Sequence, residues 1–211
     1  MPTLTNPPVR AVIYDCDGVL INSRASNAAF YNHILEKFGQ PPLTPEQLDF
    51  VQVSTATQAL DYLFAGSPNL AAAQAYQKTV DNRAFLPLLR LEPYVREVLA
   101  RLRPRYQTAI ATNRGKSLPQ VLEHLGLSGL FDFTVTCHQV TRPKPHPECL
   151  LKVLDHFRLR PRQALYVGDA ALDQEVARAA GVPFAAYRNP ALKALYHLQD
   201  HRELLPLLGL E

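Results

Sequence analysis

Short apolar runs alternate with helical segments over the second half of the chain, and this alternation constrains the fold more than any other feature. Most of the runs are apolar on both faces, which is typical of parallel strands covered on both sides of a sheet. Helices between successive strands indicate right-handed crossovers. The pattern predicts an α/β chain with a parallel sheet. Its strands are expected at Val9–Tyr14, Gln107–Ala111, Phe133–Cys137, Ala164–Val167 and Phe184–Tyr187.

The predicted helices fall into two groups. Those of the alternating region are expected at Pro93–Leu102, Lys116–Leu125, Glu148–Phe157 and Leu172–Ala180, with short helices finishing the chain. Those between the first two strands are expected at Ala25–Phe38, Pro45–Val53, Thr55–Phe64 and Asn69–Leu89, the last capped by Asn69. This second group is too long for a simple crossover. We therefore expect residues 22–91 to form an inserted helical domain, and residues 1–21 and 92–211 to form the sheet domain.

The composition excludes several classes of protein. The chain has 211 residues, of which 47% are hydrophobic, enough for a buried core, and its formal net charge is only +3. No basic run is dense enough to indicate nucleic-acid binding. Cys16, Cys137 and Cys149 lack paired spacing, so we expect free thiols in a reducing compartment. Met1–Pro8 shows no signal peptide and no apolar run could span a membrane, which favours a cytoplasmic location.

Carboxylates follow two of the predicted strands. Asp15 and Asp17 end the first strand and stand two residues apart, so their side chains can point the same way. Two carboxylates this close favour a divalent cation between them or a proton on one of them. A solvated acidic turn explains this short motif equally well. Asp169 and Asp173 follow the fourth strand, where helix capping is the simpler explanation for each taken alone.

Ligands of open parallel sheets bind at the carboxyl ends of the strands, which share one edge. If the first and fourth strands are neighbours, Asp15, Asp17 and Asp169 make an oxygen-rich site of the kind that Mg²⁺ prefers.

Two further strand ends carry groups that suit an anion. Thr112 and Asn113 follow the second strand and offer a hydroxyl and amides to a phosphate, although capping is the commoner use of such a pair. Lys144 lies between two prolines, which restrict the backbone around it and favour a fixed ammonium group. A surface lysine in a proline-rich loop is the alternative. Lys116 is a rival for the same role.

In chain order, Asp15-x-Asp17, Thr112, Lys144 and Gly168-Asp169-x-x-x-Asp173 resemble the motifs of the haloacid dehalogenase-like superfamily. The similarity is to the branch of phosphoglycolate phosphatase and β-phosphoglucomutase type, and it covers the chain from about Val9 to Pro190. It implies a Rossmann-like, doubly wound parallel core with an inserted α-helical cap domain. It also implies Mg²⁺ as the cofactor.

The resemblance implies a role for each acidic residue. Asp15 would be the nucleophile and would bind Mg²⁺ with its other oxygen. Asp17 would be the general acid and base, with its backbone carbonyl on the metal. Asp169 would be a further metal ligand, and Asp173 would support the site from behind by orienting Lys144.

The same resemblance assigns the phosphate contacts and the reaction. Thr112 and the adjacent amide of Asn113 would hold phosphate oxygens, and Lys144 would bridge the nucleophile and the phosphate. The expected substrate is a small phosphorylated metabolite, such as phosphoglycolate or a sugar phosphate, hydrolysed through a phosphoaspartate. Neither nucleic acid nor membrane is an expected partner, and the protein is expected to be a monomer or homodimer. Asn22 departs from the pattern, since many relatives carry Asp there.

Two alternatives remain open at this stage. A phosphomutase of β-phosphoglucomutase type would use the same aspartyl-phosphate chemistry but shield the intermediate from water. A non-catalytic receiver module also uses Asp, Thr and Lys around Mg²⁺, but it lacks an inserted cap and a partner equivalent to Asp17.

Overall fold

The computed structural model describes residues 9–210. Eight strands occur in this part of the chain: β1 (Ala11–Tyr14), β2 (Ile21–Asn22), β3 (Arg90–Leu91), β4 (Gln107–Ala111), β5 (Phe133–Val135), β6 (Ala164–Gly168), β7 (Phe184–Tyr187) and β8 (Tyr196–Leu198). The α-helices are α1 (Arg24–Lys37), α2 (Pro45–Val53), α3 (Ala56–Leu63), α4 (Leu70–Gln77), α5 (Val95–Leu102), α6 (Leu118–His124), α7 (Glu148–Phe157), α8 (Ala171–Ala180) and α9 (Leu204–Leu207). A 3₁₀ helix spans Asn82–Leu88, and shorter ones span Cys137–Gln139, Pro161–Gln163 and His201–Glu203.

Six strands form one parallel sheet in the order β5-β4-β1-β6-β7-β8. In the central register, Ala11 lies opposite both Gln107 of β4 and Ala164 of β6. All four residues of β1 are buried, as expected of a central strand covered on both faces. The predicted α/β class and the doubly wound parallel sheet are confirmed.

Helices cover the sheet because their apolar stripes pack on its apolar faces. Leu150 and Val153 of α7 and Val176 of α8 belong to one buried cluster with Ile13 of β1 and Tyr166 of β6. On α5, which packs on β4 and against α9, the buried side chains recur at three- and four-residue spacing. Both faces of the sheet are thus covered by apolar side chains. Polar functional groups are therefore expected at the carboxyl ends of the strands.

The described chain divides into two compact units. Residues up to Ile21 and from Leu91 onward form the sheet unit, and Asn22–Arg90 form a helical unit. The helical unit contains α1 to α4 and has a buried cluster of its own, which includes Phe30, Ile34, Leu60 and Phe64. The helical unit ends at Arg90, one residue before the end at residue 91 that the sequence predicts. Whether this unit acts as a cap over the site remains a prediction.

One helix and three short strands differ from expectation. The helix expected at Asn69–Leu89 is wrong: α4 ends at Gln77, and a 3₁₀ helix follows after an extended residue, Asp81. The Asp81 side chain accepts a hydrogen bond from Arg83 N at 3.0 Å, which starts a new turn. The side chain of Asn69 makes no capping hydrogen bond. In addition, the strands β2, β3 and β8 are not expected from the sequence; β2 and β3 pair with each other, and β8 pairs with β7.

Smaller differences affect element ends. The first helix of the alternating region begins at Val95 rather than Pro93, since Tyr94 has a φ of 64°, outside the helical region. β5 ends at Val135, and Cys137 starts a 3₁₀ helix. All three cysteines are free; Cys16 and Cys149 are buried, while Cys137 is half-buried.

Among the described residues, no helix combines the length and the apolar character needed to cross a lipid bilayer. The expectation that Met1–Pro8 contains no signal peptide concerns residues outside the described part of the chain.

Candidate active site

Asp15 and Asp17 lie in a tight turn that leaves the buried end of β1. Asp15 N donates to the carbonyl of Val167 on β6 at 2.9 Å, so the backbone continues the parallel pairing by one more residue. Gly18 then reverses the chain with a φ of 85°, and its N–H donates to Ile21 O at 2.8 Å. A Cβ at residue 18 would lie 2.1 Å from Asp169 Oδ2. The turn therefore needs glycine both for its backbone conformation and for its contact with Asp169.

Lys144 is buried at the centre of the carboxyl edge, with only 1% of the residue exposed. Its ammonium donates to Asp15 Oδ1 at 2.7 Å, to Asp173 Oδ1 at 2.8 Å and to Tyr166 Oη at 2.6 Å. Each of the three ammonium protons thus has its own hydrogen-bond acceptor, so the buried cation has no unpaired donor. Because the three acceptors lie on different strands and helices, they fix the ammonium group next to Asp15.

The loop that carries Lys144 is attached to the end of β4. Asn113 Oδ1 accepts from Lys144 N at 3.0 Å, and Asn113 Nδ2 donates to Lys144 O at 3.3 Å. The neighbouring Thr112 is buried, and its Oγ1 accepts from Arg114 N at 3.0 Å. The side chain of Asn113 therefore positions Lys144. A role in holding phosphate would fall to Thr112 and to backbone amides of this turn.

Asp173 supports the cluster from the first turn of α8. Its Oδ2 accepts from the backbone N–H groups of Asp169 and Ala170, each at 3.2 Å. Its Oδ1 accepts from Lys144 and from Tyr166 Oη, the latter at 2.7 Å. Both carboxylate oxygens are occupied, so Asp173 holds other groups in place and has little capacity left for a ligand.

Asp17 is bound to Arg114 rather than to Lys144. Arg114 Nε donates to Asp17 Oδ2 at 2.9 Å, and Arg114 Nη2 contacts Asp17 Oδ1. Arg114 Nη1 also donates to Ser117 Oγ at 3.2 Å, and each side chain of the ion pair is 11% exposed. A two-point contact of this kind holds the carboxylate in one orientation.

The crowded carboxylates have unusual proton affinities. The pKa of Asp15 is raised to about 7, chiefly by burial; the charge of Lys144 lowers this pKa, and that of Asp173 raises it. Burial raises the pKa of Asp169 to about 8, with Asp15 and Asp173 adding to the rise. Burial alone would lower the pKa of Lys144, but the charges of Asp15 and Asp173 outweigh it, so the lysine stays protonated. The site therefore has excess negative charge that one ammonium group does not balance.

The structure brings most of the predicted site residues to one edge of the sheet. Carboxylate oxygens of Asp15, Asp169 and Asp173 lie within 4.8 Å of one another, and Lys144 contacts two of these three residues. Thr112 and Asn113 follow the adjacent strand β4. Lys116, the rival lysine, is exposed.

Sequence reasoning missed Tyr166 and Arg114. Tyr166 lies within the buried strand β6, where an aromatic residue indicates only apolar packing. Arg114 stands directly after Thr112-Asn113, and this adjacency was the one available signal.

Comparisons with known proteins agree with this geometry. Residues 12–187 match the model of the family described as haloacid dehalogenase-like hydrolase. A phosphoglycolate phosphatase of Nitrosospira multiformis is 31% identical over 195 residues, which cover 82% of this chain and 81% of that protein. A phosphorylated carbohydrates phosphatase of Thermotoga maritima is 28% identical, covering 82% of each chain.

A solved structure extends the similarity to three dimensions. The crystal structure of a haloacid dehalogenase-superfamily hydrolase of subfamily IA from Geobacter sulfurreducens has 42% sequence identity and a TM-score of 0.78. The match covers 95% of this chain and 97% of that one. The chain thus belongs to the haloacid dehalogenase-like hydrolase family, and the relatives it matches confirm the expected class of enzyme, a phosphatase.

Proposed function

We propose that the protein is a Mg²⁺-dependent phosphatase that hydrolyses a small phosphorylated metabolite through a phosphoaspartate at Asp15. The observation that carries this proposal is the contact between Lys144 Nζ and Asp15 Oδ1 at 2.7 Å. It holds one carboxylate oxygen of Asp15 next to a fixed cation. A carboxylate held in this way suits attack on a phosphorus atom whose charge Lys144 helps to balance.

The residues present fit a magnesium ion. Mg²⁺ prefers oxygen ligands and is usually bound by one or two carboxylates together with water and substrate phosphate. Asp15 and Asp169 supply the carboxylates, since Asp173 already has both of its oxygens in hydrogen bonds. The backbone carbonyl of Asp17 would be a third ligand. The raised pKa values of Asp15 and Asp169, caused first by burial, mark a surplus of negative charge that a divalent cation would relieve.

When bound, the ion supplies positive charge that offsets the repulsion between a carboxylate nucleophile and a phosphate dianion. In the first step, Asp15 Oδ2 attacks phosphorus, the ester P–O bond breaks, and a proton from Asp17 goes to the leaving alkoxide. Asp17 must leave its ion pair with Arg114 to do so, because a carboxylate bound at both oxygens cannot donate. Acid–base help of this type contributes about 10²–10⁴-fold to the rate.

In the second step, Asp17 accepts a proton from a water molecule, and the oxygen of that water attacks the phosphorus of the acyl phosphate. The bond between phosphorus and Asp15 breaks, which regenerates the carboxylate and releases inorganic phosphate. Lys144, held by Asp15, Asp173 and Tyr166, stays in place throughout and stabilises negative charge in both steps.

The names of two relatives support a proposal for the substrate class. The matched proteins are named for phosphoglycolate and for phosphorylated carbohydrates. We propose a substrate of this kind, a small phosphate monoester of a hydroxy acid or a sugar.

The test is a panel of small phosphorylated metabolites assayed for inorganic phosphate with Mg²⁺ and with excess EDTA. We expect release with Mg²⁺ only, and none from the Asp15→Asn variant. Asp61→Asn is the matched control, since Asp61 is an exposed aspartate of α3 that accepts from Gln74 at 2.6 Å. Undiminished release in EDTA or from Asp15→Asn contradicts the proposal. Interconversion of hexose phosphates without phosphate release would show a mutase instead.

A further inference from the structure

Three segments rich in arginine meet at the edge of the sheet opposite the candidate active site. Arg10 directly precedes β1, residues 101–105 precede β4, and residues 158–162 precede β6. These three strands are neighbours, and their backbones are joined at this edge. Arg10 N donates to Gln163 O at 2.7 Å, and Gln107 N donates to Arg10 O at 2.9 Å. The segments therefore share one surface.

This surface, here called the arginine edge, is defined by seven exposed arginines: Arg10, Arg101, Arg103, Arg105, Arg158, Arg160 and Arg162. Within residues 9–210, the one ion pair they make joins Arg103 to Asp132 at 3.8 Å, with side chains 38% and 36% exposed. An exposed ion pair at this distance contributes little to stability. The chain as a whole has a formal net charge of +3, so seven arginines accompanied by Asp132 and Asp155 concentrate positive charge at this edge.

Part of the arginine edge borders an open groove of about 480 Å³. Arg103, Arg105, Tyr106 and His156 line it. Two of its rings are held in place by neighbouring residues. Tyr106 Oη donates to Leu208 O at 2.5 Å, and the His156 ring stacks on Phe133 with centroids 3.8 Å apart. The groove thus combines cationic groups with fixed aromatic surfaces.

We propose that this groove binds a nucleoside di- or triphosphate, at a site separate from the catalytic one. Arginine binds phosphate oxygens with two parallel hydrogen bonds, so Arg103 and Arg105 suit a chain of two or more phosphates. Tyr106 and His156 offer rings against which a base can stack. The negative charge of Asp132 repels an anionic ligand only in part, because Asp132 Oδ2 is held by two hydrogen bonds. It accepts from Thr108 N at 2.7 Å and from Thr108 Oγ1 at 3.2 Å.

The two sites do not overlap. The catalytic residues follow the carboxyl ends of the strands, whereas the groove lies at the amino ends. A strand of five residues separates the two edges by roughly 15 Å. A ligand in the groove would therefore not compete for Asp15 or Lys144. Its binding can be measured without turnover.

The test is calorimetric titration of the full chain with ATP, ADP and AMP, in EDTA so that no metal ion supports binding at the catalytic site. We expect ATP and ADP to bind, and AMP to bind more weakly. The Arg103→Gln/Arg105→Gln variant should bind ATP roughly tenfold or more weakly. The matched control is Arg83→Gln/Arg202→Gln, which removes the same charge from two exposed arginines outside the edge, each paired with its own aspartate. It should bind ATP as the unaltered chain does.

Three results would overturn the proposal: no heat of ATP binding, equal ATP affinity in the two double variants, or binding of AMP as tight as that of ATP. A single-stranded oligonucleotide that binds at the edge and is not displaced by ATP would also overturn it, in favour of nucleic acid. Because arginines on the surface can be replaced without disturbing the core, both double variants should unfold at the same temperature as the parent. None of these outcomes bears on the phosphatase activity.

Discussion

Lys144 illustrates how a buried charge is kept in a folded protein. Its ammonium group is surrounded by Asp15, Asp173 and Tyr166 at 2.6 to 2.8 Å. A buried ion pair is weak evidence for stability, because desolvation offsets much of the attraction. Removing one partner is nevertheless costly, since it leaves the other charge buried and uncompensated. The cluster is therefore best explained by the placement of the Asp15 carboxylate.

Lys144→Met should abolish phosphate release and lower the free energy of unfolding by about 3–5 kcal/mol at neutral pH. The physical reason is that Asp15 and Asp173 lose their shared cation while they remain buried. Chemical denaturation and phosphate release measure the two effects. Lys116→Met is the control, since Lys116 is exposed, and it should alter neither quantity much. Loss of activity in Lys116→Met but not in Lys144→Met would reverse the assignment of the two lysines.

The stability of the metal-free protein should fall as pH rises. Burial holds the pKa of Asp15 at about 7 and that of Asp169 at about 8 in the folded state, against about 3.9 for an unfolded aspartate. Between about pH 4 and about pH 8 these two carboxyl groups bind more protons in the folded state than in the unfolded state, so an increase in pH favours unfolding. His201, whose pKa burial lowers to about 4, acts in the opposite direction below about pH 6.5 and offsets only part of their effect.

Magnesium should reverse this trend. Protons compete with the metal for Asp15 and Asp169, so the stabilisation by saturating Mg²⁺ should grow across the same pH range. Denaturation with EDTA and with Mg²⁺ at several pH values measures both effects. Stability that rises with pH in EDTA, or a Mg²⁺ effect that is the same at both ends of the range, would contradict these pKa shifts.

Sequence reasoning at this scale expected Asp15, Lys144 and Asp169 to lie close together, and the structure places them at one edge of the sheet. Each belongs to a short motif that can be recognised in the sequence, while their roles stay predictions. Sequence reasoning failed where a contact depends on the fold alone. Tyr166 reaches Lys144 from inside a strand, and Arg114 pairs with Asp17 from 97 residues away in the chain. The side chain of Asn113, which holds the backbone of Lys144, likewise depends on a loop packing against a distant strand.

At the scale of elements, the turn after β1 couples two strand ends. Gly18 at a φ of 85° reverses the chain, and its missing side chain leaves room for Asp169 from β6. The same turn carries Asp17 and positions the start of β2. A short glycine turn thus controls how closely a carboxylate from another strand approaches Asp15.

Gly18→Ala should weaken Mg²⁺ binding and reduce phosphate release, because its Cβ would lie 2.1 Å from Asp169 Oδ2. The control is Gly129→Ala, whose φ of 72° imposes a similar backbone strain but whose Cβ would meet no atom within 4 Å. Both variants should lose about 1 kcal/mol of stability from strain. Only Gly18→Ala should require more Mg²⁺ for half-maximal activity. Equal Mg²⁺ requirements in the two variants would contradict the proposed contact between the turn and Asp169.

The elements that sequence reasoning got wrong lack long periodic patterns. The expected helix Asn69–Leu89 ran through Asp81, which instead starts a new turn, and through Pro87, which lacks an N–H donor. β8 has three residues, Tyr196–Leu198, too few to show alternation, and it becomes a strand only by pairing with β7. The long buried strands and strongly amphipathic helices were predictable because burial imposes their pattern.

At the scale of the whole molecule, the chain consists of two units with separate hydrophobic cores. The cluster of the helical unit draws only on residues between Phe30 and Phe85. The chain passes between the units at β2 and β3, which pair with each other. Units with their own cores can fold independently, and paired crossing points make a short replacement linker feasible.

Replacing residues 23–89 with a short Gly-Ser linker should leave a folded sheet unit. We expect stabilisation by Mg²⁺ to survive, because all proposed ligands belong to the sheet unit. Preference among phosphorylated metabolites should be lost on the expectation, implied by the family resemblance, that the helical unit is a cap over the site. Thermal unfolding and relative rates on two metabolites and a generic aryl phosphate measure these effects. An excised chain with unchanged substrate preference would contradict that role.

The most direct test of the whole account is chemical trapping of the intermediate. The enzyme is mixed with a phosphorylated substrate and Mg²⁺, quenched within one turnover and treated with borohydride, which reduces an acyl phosphate of aspartate to homoserine. Peptide mass spectrometry should then find homoserine at position 15, in amounts that depend on substrate. Trapping at another carboxylate, or hydrolysis of the substrate with position 15 unmodified at every quench time, would contradict a phosphoaspartate at Asp15.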